Sequence, residues 1–329
     1  MAPCSVLTDN IFRLHDNPGH PENQSRLEKA LLGVPHAIPR IAAEPALTED
    51  IILIHNPFYL EWLEQRCAAT KDLGYIDSDT YITPRSYEVA LHAAGAAIGA
   101  AERSAHGEHC FALIRPPGHH AEHDRAMGFC LLNNAAIAAA RLLQNVDRVA
   151  IIDWDMHHGN GTQNAFLGSD RVLYCSTHRE FIFPFSGGVE ETGIGAGRGF
   201  TINAPLQAGS GIADYHLVFS EVFVPALTRF APDAVIVSAG QDILADDPLG
   251  GMSVVPEDFS ILADMVVGAA GVPLALILEG GYGDSVGPAI SHIFAALHRE
   301  RGRDLRVMHL PHESTERTVS ILKKIHGLV

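Results

Sequence analysis

The stretch RVAIIDWDMHHGNG, residues 148–161, joins an apolar run to a segment with two aspartates and two histidines. Its first part, RVAIID (148–153), is rich in β-branched residues and shows no polar alternation, which predicts a strand covered on both faces. The polar part begins where this strand ends. In open parallel sheets, ligand sites form at the carboxyl ends of the strands. The stretch therefore predicts an α/β fold with a functional site at that edge of the sheet.

Further apolar runs alternate with segments of helical character along the chain. The runs predicted as strands are CFALI (110–114), RVLYCS (171–176), FTINA (200–204), DAVIVSA (233–239) and LALILE (274–279). The predicted helices are 86–105, 133–144, 214–230, 256–270 and 289–300. This alternation indicates a single α/β domain over residues 1–329, with a mostly parallel central sheet and helices on both faces. No internal repeat, low-complexity tract or linker divides the sequence.

Composition is typical of a soluble globular protein and predicts a cytoplasmic location without membrane association. The chain is 47% hydrophobic, yet it has no secretory signal pattern and no apolar run of roughly 18 residues. Its five cysteines are scattered without CxxC spacing, which argues against a disulfide framework or a thiolate zinc site. The net charge of −16 disfavours direct nucleic-acid binding and attracts cationic ligands. An acidic composition also increases solubility, and this interpretation of the net charge stays open.

The aspartates and the first histidine of residues 153–157 have the types and spacing of metal ligands. On an extended backbone alternate side chains point the same way, so Asp153, Asp155 and His157 are predicted to face one cavity. Carboxylate and imidazole suit zinc or a similar divalent ion, and a catalytic site needs about three protein ligands plus an open position. Asp242, at the end of another predicted strand, is the best candidate for a further ligand. Polar residues at strand ends also act as caps, but this dense cluster favours a metal site.

Two further segments at the predicted rim suit proton transfer and oxyanion binding. His119 and His120 follow two prolines and a glycine, which fix the backbone as a general acid or base requires. Asp153 is available to orient one imidazole if Asp155 binds the metal. Tyr282 follows two glycines and offers a neutral O–H donor for a developing oxyanion. These residues predict hydrolytic chemistry beside the metal.

With these motifs the chain resembles the zinc-dependent histone deacetylase family, including its bacterial histone deacetylase-like amidohydrolases. The resemblance runs through nearly the whole sequence and rests on long, ordered motifs. These are HDNPGHPENQSRL (15–27), RPPGHHAEHDRAMGFCLLNNAA (115–136), DWDMHHGNGTQNAF (153–166), GGVEETGIGAGRGF (187–200), SAGQDILADDPLGGM (238–252) and LEGGY (278–282). The resemblance implies the arginase–deacetylase fold, which agrees with the α/β prediction.

The resemblance also implies a role for each residue that matches a motif. The implied zinc ligands are Asp155, His157 and Asp242. The implied catalytic residues are His120 as general base and acid, His119 as its electrostatic partner, Asp153 behind His119, and Tyr282 as the group polarising the carbonyl. The implied acyl-lysine tunnel and internal pocket comprise Phe129, Phe183, Gly128, Leu249 near the mouth, and Arg26. A structural potassium ion is implied at Asp153, Ser176 and Thr177, with backbone oxygens of Asp155 and His157.

Three positions refine this resemblance. Asn160 stands where some branches carry an aspartate behind the second histidine, which resembles the class II branch and implies a less basic His120. Gln241 stands where the family more often has a small or aromatic residue before the ligand aspartate. Tyr282 is tyrosine and not histidine, which implies a competent catalyst.

These features predict a zinc-dependent amidohydrolase that removes acetyl or other short acyl groups from lysine side chains or similar amines. The expected partners are acylated peptides or proteins, acetylated amines and hydroxamate inhibitors, and the oligomeric state is open. An acetylpolyamine or other small-amide hydrolase is the first alternative, and a noncatalytic acyl-lysine-binding module is the second. An arginase-type ureohydrolase shares the fold, but its two-metal DxHxD-like pattern differs from DWDMHHGNG.

Overall fold

The computed structural model describes residues 2–298 and 310–328 of the chain. Its strands are β1 (Cys4–Leu7), β2 (Arg40–Ile41), β3 (Gly74–Tyr75), β4 (Tyr81–Ile82), β5 (His109–Ala112), β6 (Val149–Asp153), β7 (Val172–Arg179), β8 (Thr201–Leu206), β9 (Ala234–Ser238) and β10 (Leu274–Ile277). Its helices are α1 (Gln24–Leu32), α2 (Thr48–Ile51), α3 (Pro57–Ala68), α4 (Ser86–Ala105), α5 (Asn134–Leu142), α6 (Asn160–Phe166), α7 (Ile212–Val218), α8 (Val224–Phe230), α9 (Phe259–Ala270), α10 (Val286–Leu297) and α11 (Glu313–His326).

The central sheet has eight strands in the order β2-β1-β5-β10-β9-β6-β7-β8, and every neighbouring pair is parallel. Strands β3 and β4 form a separate antiparallel pair. Strands β5, β6, β9 and β10 are buried along their whole length, as their continuous apolar runs predict. The predicted α/β architecture is confirmed.

The register of the sheet brings the carboxyl ends of its central strands to one level. Asp153 of β6 is paired with Ser176 of β7 on one side and with Ser238 of β9 on the other. Ser238 is level with Ile277 of β10, which is level with Ala112 of β5. The polar segments that follow these strands therefore emerge along one edge of the sheet, as predicted.

Helices cover both faces of the sheet. Helix α4 packs against β1, β5, β9 and β10, and α5 lies beside it against β6 and β9. On the opposite face, Phe294 of α10 meets Phe111 of β5 with ring centroids 6.1 Å apart. The predicted helix 86–105 coincides with α4, whose alanine-rich inner face permits close packing on the strands.

Several predicted element boundaries differ from the structure for identifiable reasons. The predicted helix 214–230 is two helices, α7 and α8, joined by a π-helical turn at Phe219–Phe223. Pro225, near the start of α8, has no N–H to donate to the preceding turn, and this favours the wider turn before it. The predicted helix 289–300 begins earlier, at Val286, and its last two positions lie outside the described residues.

Two compositional features also have counterparts in the structure. All five cysteines are buried free thiols. Within residues 2–298 and 310–328, no helix combines the length and the apolar character needed to cross a bilayer.

Candidate active site

A cavity of about 230 Å³ opens at the carboxyl edge of the sheet. The residues singled out from the sequence that line it are His119, His120, Gly128, Phe129, Asp155, His157, Phe183, Leu249 and Tyr282. They come from segments that follow β5, β6, β7, β9 and β10. The topology therefore gathers these chain segments around one space.

Asp155, His157 and Asp242 form a compact group of donor atoms beside this cavity. One ligand atom from each lies within 4.8 Å of the others, and the described residues contain no second such group. The Nδ1 atom of His157 is 3.0 Å from Oδ2 of Asp242 and 3.3 Å from Oδ1 of Asp155. Ligand atoms about 2.0 Å from a tetrahedral zinc ion lie roughly 3.3 Å apart, so these separations fit one ion.

The chain leaves room for this group by placing glycines against it. A Cβ atom on Gly280 would lie 2.4 Å from Oδ2 of Asp242 and 2.7 Å from Oδ2 of Asp155. A Cβ atom on Gly240 would lie 2.2 Å from Oδ2 of Asp155. Gln241 turns its amide away and donates to the carbonyl of Ala239 at 2.8 Å. Both glycines are therefore required by the close approach of the two carboxylates.

Backbone donors orient the carboxylates of the group. The Gly280 N–H donates to Oδ2 of Asp155 at 2.7 Å, and the Met156 N–H donates to Oδ1 of Asp242 at 2.8 Å. Burial, followed by the charge of Asp155, raises the pKa of Asp242 to about 7. Burial opposes ionisation of Asp155 as well, but His119 and His157 hold its pKa below the ordinary value. Two buried carboxylates and an imidazole thus share protons at close range, and a cation can bind in place of those protons.

His119 is fixed by the carboxylate behind it. Its Nδ1 atom is 3.1 Å from Oδ2 of Asp153, which also accepts the Tyr174 hydroxyl at 3.1 Å. The other oxygen of Asp153 accepts the Asp155 N–H at 3.1 Å. Burial lowers the pKa of His119, but Asp155 and Asp153 outweigh burial and raise it to about 10. Asp153 therefore lies behind His119 and, contrary to the expectation from alternation, does not line the cavity, because its oxygens are engaged by these donors.

His120 has a neutral partner and a defined tautomer. Its Nδ1 atom is 2.8 Å from Oδ1 of Asn160, while the Asn160 amide nitrogen donates to Glu122 at 2.8 Å. The amide oxygen must therefore face His120, so Nδ1 carries the proton and Nε2 keeps its lone pair. Burial, and then the charges of His119 and His157, lower the pKa of His120 well below its ordinary value. The imidazole is neutral near pH 7 and is able to accept a proton.

Tyr282 also lines the cavity and follows a turn made of two glycines. Its ring meets the edge of Phe129 with centroids 5.9 Å apart. Burial raises the pKa of the phenol well above its ordinary value, so the O–H stays available as a donor. The preceding Gly281 has φ +119°, a conformation that side chains other than hydrogen rarely adopt. The turn therefore places a neutral O–H donor beside the cation site.

Arg26 lies behind Tyr282 and does not line the cavity. Its guanidinium carbon is 4.9 Å from the centre of the Tyr282 ring. Its Nε–H donates to the Gly281 carbonyl at 3.0 Å, and a further N–H donates to the Glu279 carbonyl. Arg26 thus braces the turn that carries the phenol.

The cavity walls are aromatic where they were expected to be. Phe183 packs against His120 with ring centroids 5.0 Å apart. Gly128 has φ +57°, and a Cβ atom there would lie 2.6 Å from Cδ2 of His120 and 2.8 Å from Cε1 of Phe183. Leu249 is 37% exposed, which fits a position at the mouth. The cavity is thus lined both by these side chains and by Asp155 and His157 of the donor group.

The residues named for a potassium ion lie next to β6. Ser176 is level with Asp153 in the sheet, and Thr177 follows it. The Thr177 hydroxyl is buried and has no hydrogen-bond partner among the described residues. An unpaired buried oxygen is compatible with a cation ligand.

Glu279 is a residue of the site to which the sequence analysis gave no role. One of its carboxylate oxygens accepts the N–H groups of Gly118 and His119 at 2.7 and 3.1 Å. The other accepts the Ser238 hydroxyl at 3.1 Å. Burial raises the pKa of Glu279 to about 7. Its one sequence signal is an acidic residue at the end of an otherwise apolar strand.

Comparison with known proteins identifies the family to which this arrangement is related. Residues 20–297 match the family profile described as "Histone deacetylase domain". A probable deacetylase of Archaeoglobus fulgidus is 38% identical over 296 residues, covering 86% of this chain and 82% of the relative. The histone deacetylase-like amidohydrolase of Pseudomonas aeruginosa is 40% identical over 282 residues, covering 82% and 73%. The crystal structure of the HDA15 HD domain superposes with a TM-score of 0.92 at 32% identity, covering 99% of this chain and 95% of that one.

Proposed function

Because the chain belongs to the histone deacetylase family, we propose that it is a zinc-dependent amidohydrolase that removes acetyl or other short acyl groups from lysine side chains or similar amines. The observation that carries this proposal is the group of Asp155, His157 and Asp242, with both carboxylates buried, placed beside two further imidazoles and a protonated phenol around one cavity. A binding module has no need of both a proton acceptor and an oxyanion donor.

The donor set fits one zinc ion. When bound, such an ion supplies Lewis-acid polarisation of an acyl carbonyl and lowers the pKa of water. Two carboxylates and one imidazole leave the open position that a catalytic site needs. A potassium ion at Asp153, Ser176 and Thr177 is proposed as a structural companion, supported by the unpaired Thr177 hydroxyl.

The protein's own residues divide the proton transfers and the charge stabilisation. The free Nε2 of His120 accepts a proton from the attacking water, and Asn160 holds the opposite ring nitrogen. The Tyr282 O–H donates to the oxygen of the substrate carbonyl as negative charge develops on it. His120 then returns its proton to the leaving amine. His119, whose Nδ1 atom faces the Asp153 carboxylate, lies beside this exchange as the electrostatic partner of His120.

A lysine side chain or a comparable linear amine is the substrate class that the cavity favours. Phe129 and Phe183 line the cavity and the exposed Leu249 is apolar, which suits an unbranched alkyl chain. The net charge of −16 favours substrates whose remainder is cationic. Acetylpolyamines satisfy the same two conditions and form the second candidate class.

The experiment that tests the proposal is hydrolysis of a matched panel by the zinc-loaded protein. The panel holds an acetyl-lysine peptide, its trifluoroacetyl analogue, N-acetylputrescine and an acetylanilide, each with and without a hydroxamate inhibitor. Turnover of the peptide that is abolished by the hydroxamate supports the lysine deacylase. Preference for N-acetylputrescine moves the assignment to the polyamine class. No turnover of any member by protein with one zinc bound contradicts the proposal.

A further inference from the structure

A buried carboxylate outside the groups described so far joins two loops of the cavity rim. Asp247 is 7% exposed and follows the ligand Asp242 in the segment DILADDPLGG (242–251). Its Oδ2 atom accepts the Tyr282 N–H at 2.6 Å and the Gly283 N–H at 3.3 Å. Its Oδ1 atom accepts the Leu249 N–H at 2.9 Å. One side chain therefore holds both the loop of the phenol and the loop of the mouth.

The turn that carries Tyr282 needs such an anchor. Tyr282 follows Gly280 and Gly281, and glycine restricts the backbone less than any other residue. Gly280 is tied down by its own N–H, which donates to Asp155, and by its carbonyl, which accepts the Gln241 N–H at 2.9 Å. Beyond the glycines, the backbone N–H of Tyr282 is held by Asp247. The position of the phenol thus depends on this carboxylate.

Asp247 makes these bonds without an ionic partner. In the part of the chain that the structure describes, no basic side chain lies within ion-pair distance of it. Three N–H donors converge on its two oxygens. Both oxygens of the side chain must therefore be acceptors, one for the Leu249 N–H and one for the N–H groups of Tyr282 and Gly283. An asparagine offers one acceptor and one donor. Because an Asn side chain readily accepts the backbone N–H two residues further on, its oxygen would face the Leu249 N–H and its amide group would oppose the Tyr282 turn.

We propose that Asp247 is a positioning residue that sets the Tyr282 phenol, through the backbone of its turn, at the distance from the cation site that carbonyl polarisation requires. The inference rests on the proposed hydrolase function and adds to it a residue that touches neither substrate nor metal. A displacement of the order of 1 Å at a catalytic group is enough to cost about a hundredfold in rate. Loss of Asp247 should therefore act on kcat through Tyr282.

The test is a double-mutant cycle between Asp247 and Tyr282. We expect Asp247→Asn to lower kcat on the acetyl-lysine peptide about 10- to 100-fold with zinc content unchanged. In the Tyr282→Phe background the same change should cost less than about threefold, because the group it positions is already absent. Asp247→Ser keeps an acceptor for the Leu249 N–H and loses the bonds to the Tyr282 turn. It should behave like Asp247→Asn and replaces it if the asparagine variant does not fold.

A matched control lies one residue away. Asp246 is exposed and accepts the N–H groups of Asp284 and Ser285 at 3.1 and 2.9 Å. It therefore contacts the same loop, but at residues that follow Tyr282 in the sequence. Asp246→Asn should leave kcat within about twofold. An equal loss from Asp247→Asn in both backgrounds, a loss of zinc, or an unchanged kcat would overturn the inference. Failure of the hydrolase proposal is distinct, because it would appear as absent turnover in the unmodified protein.

Discussion

The Nδ1 atom of His120 lies 2.8 Å from the amide oxygen of Asn160. The neighbouring imidazole, that of His119, faces the carboxylate of Asp153 at 3.1 Å. One histidine of the pair therefore has a neutral partner, and the other has a carboxylate partner. In the proposed mechanism, this difference suits His120 to proton transfer and His119 to an electrostatic role.

Replacing the neutral partner should change the pH range in which the base works. In Asn160→Asp, a carboxylate beside His120 would stabilise the imidazolium and raise its pKa. Since the base must be neutral to accept a proton, the acidic limb of the kcat/KM profile should move up by about 1 to 2 pH units. Profiles of kcat/KM from pH 5 to 9 would check this. The control is Asn164→Asp, because Asn164 lies on the same helix as Asn160 and also donates to Glu122. An acidic limb that stays in place would remove His120 from the role of base.

Removing the phenolic hydroxyl should affect turnover much more than binding. We expect Tyr282→Phe to lower kcat by about 100- to 1,000-fold, the scale for loss of one oxyanion donor. Zinc content and hydroxamate affinity should change far less, because the ring still packs against Phe129. Steady-state kinetics and a hydroxamate titration make the comparison. Near-normal turnover would exclude Tyr282 from the mechanism.

Zinc affinity should rise with pH because the ion displaces protons from its ligands. Burial and Asp155 raise the pKa of Asp242 to about 7, and the neighbouring carboxylates raise that of His157 to about 10 despite burial. Binding should therefore release protons, and more of them at pH 6 than at pH 8. Calorimetry in buffers of different ionisation enthalpy measures the number released at each pH. Zinc binding without proton release at pH 6 would contradict this protonation scheme.

A methyl group beside the ligands should exclude the ion. In Gly280→Ala the new Cβ would lie 2.4 Å from Oδ2 of Asp242, too close for both atoms to keep their places. We expect zinc content to fall below about one tenth of an equivalent, because a site that rigidly holds its ligands tolerates little displacement. Gly268→Ala, in helix α9 with nothing within 4 Å of its Cβ, is the control and should retain zinc. Full occupancy in Gly280→Ala would show that the loop adjusts.

Stability should decline in mild acid because a buried histidine is held neutral. Burial lowers the pKa of His55 to about 4, and its Nε2 accepts the Asn133 N–H at 2.9 Å. Between pH 6.5 and 4 the unfolded chain binds a proton that the folded chain does not. The free energy of unfolding therefore decreases by about 1.4 kcal/mol for each unit by which the pH is lowered. His55→Gln keeps an acceptor but does not titrate, and urea unfolding should show a correspondingly flatter slope. Equal slopes for both proteins would rule out this contribution.

The elements predicted from the sequence are those with a strong local signal. Strand β6 and helix α4 carry long runs of one pattern, and both were predicted nearly to the residue. Strand β2, with two residues, and helix α2, with four, are too short for any periodicity to register. Their conformation is decided by packing against the completed sheet.

The residues of the site differ in the same way, since some have a strong local sequence signal and others have none. His119, His120 and Asp155 lie in compact motifs at strand ends, so the topology alone brings them together. Glu279 contacts Gly118, which is 161 positions away, and no local pattern records that contact. Asp247 sits in a recognisable motif, but its bonds to the Tyr282 turn depend on how two loops meet in space. Glu279 and Asp247 thus position other residues through contacts that no local motif records, whereas Asp153 lies within a motif and was predicted to orient an imidazole.

Among the residues that the structure describes, β10 is the last strand in chain order, yet it lies inside the sheet between β5 and β9. Without β10, the strands β2-β1-β5 and β9-β6-β7-β8 would form two separate half-sheets, with unpaired edges at β5 and β9. Such edges pair readily with other chains. A product that stops before Leu274 should aggregate or be degraded, whereas a chain that includes β10 joins the two halves and places the Gly280 N–H against the Asp155 carboxylate.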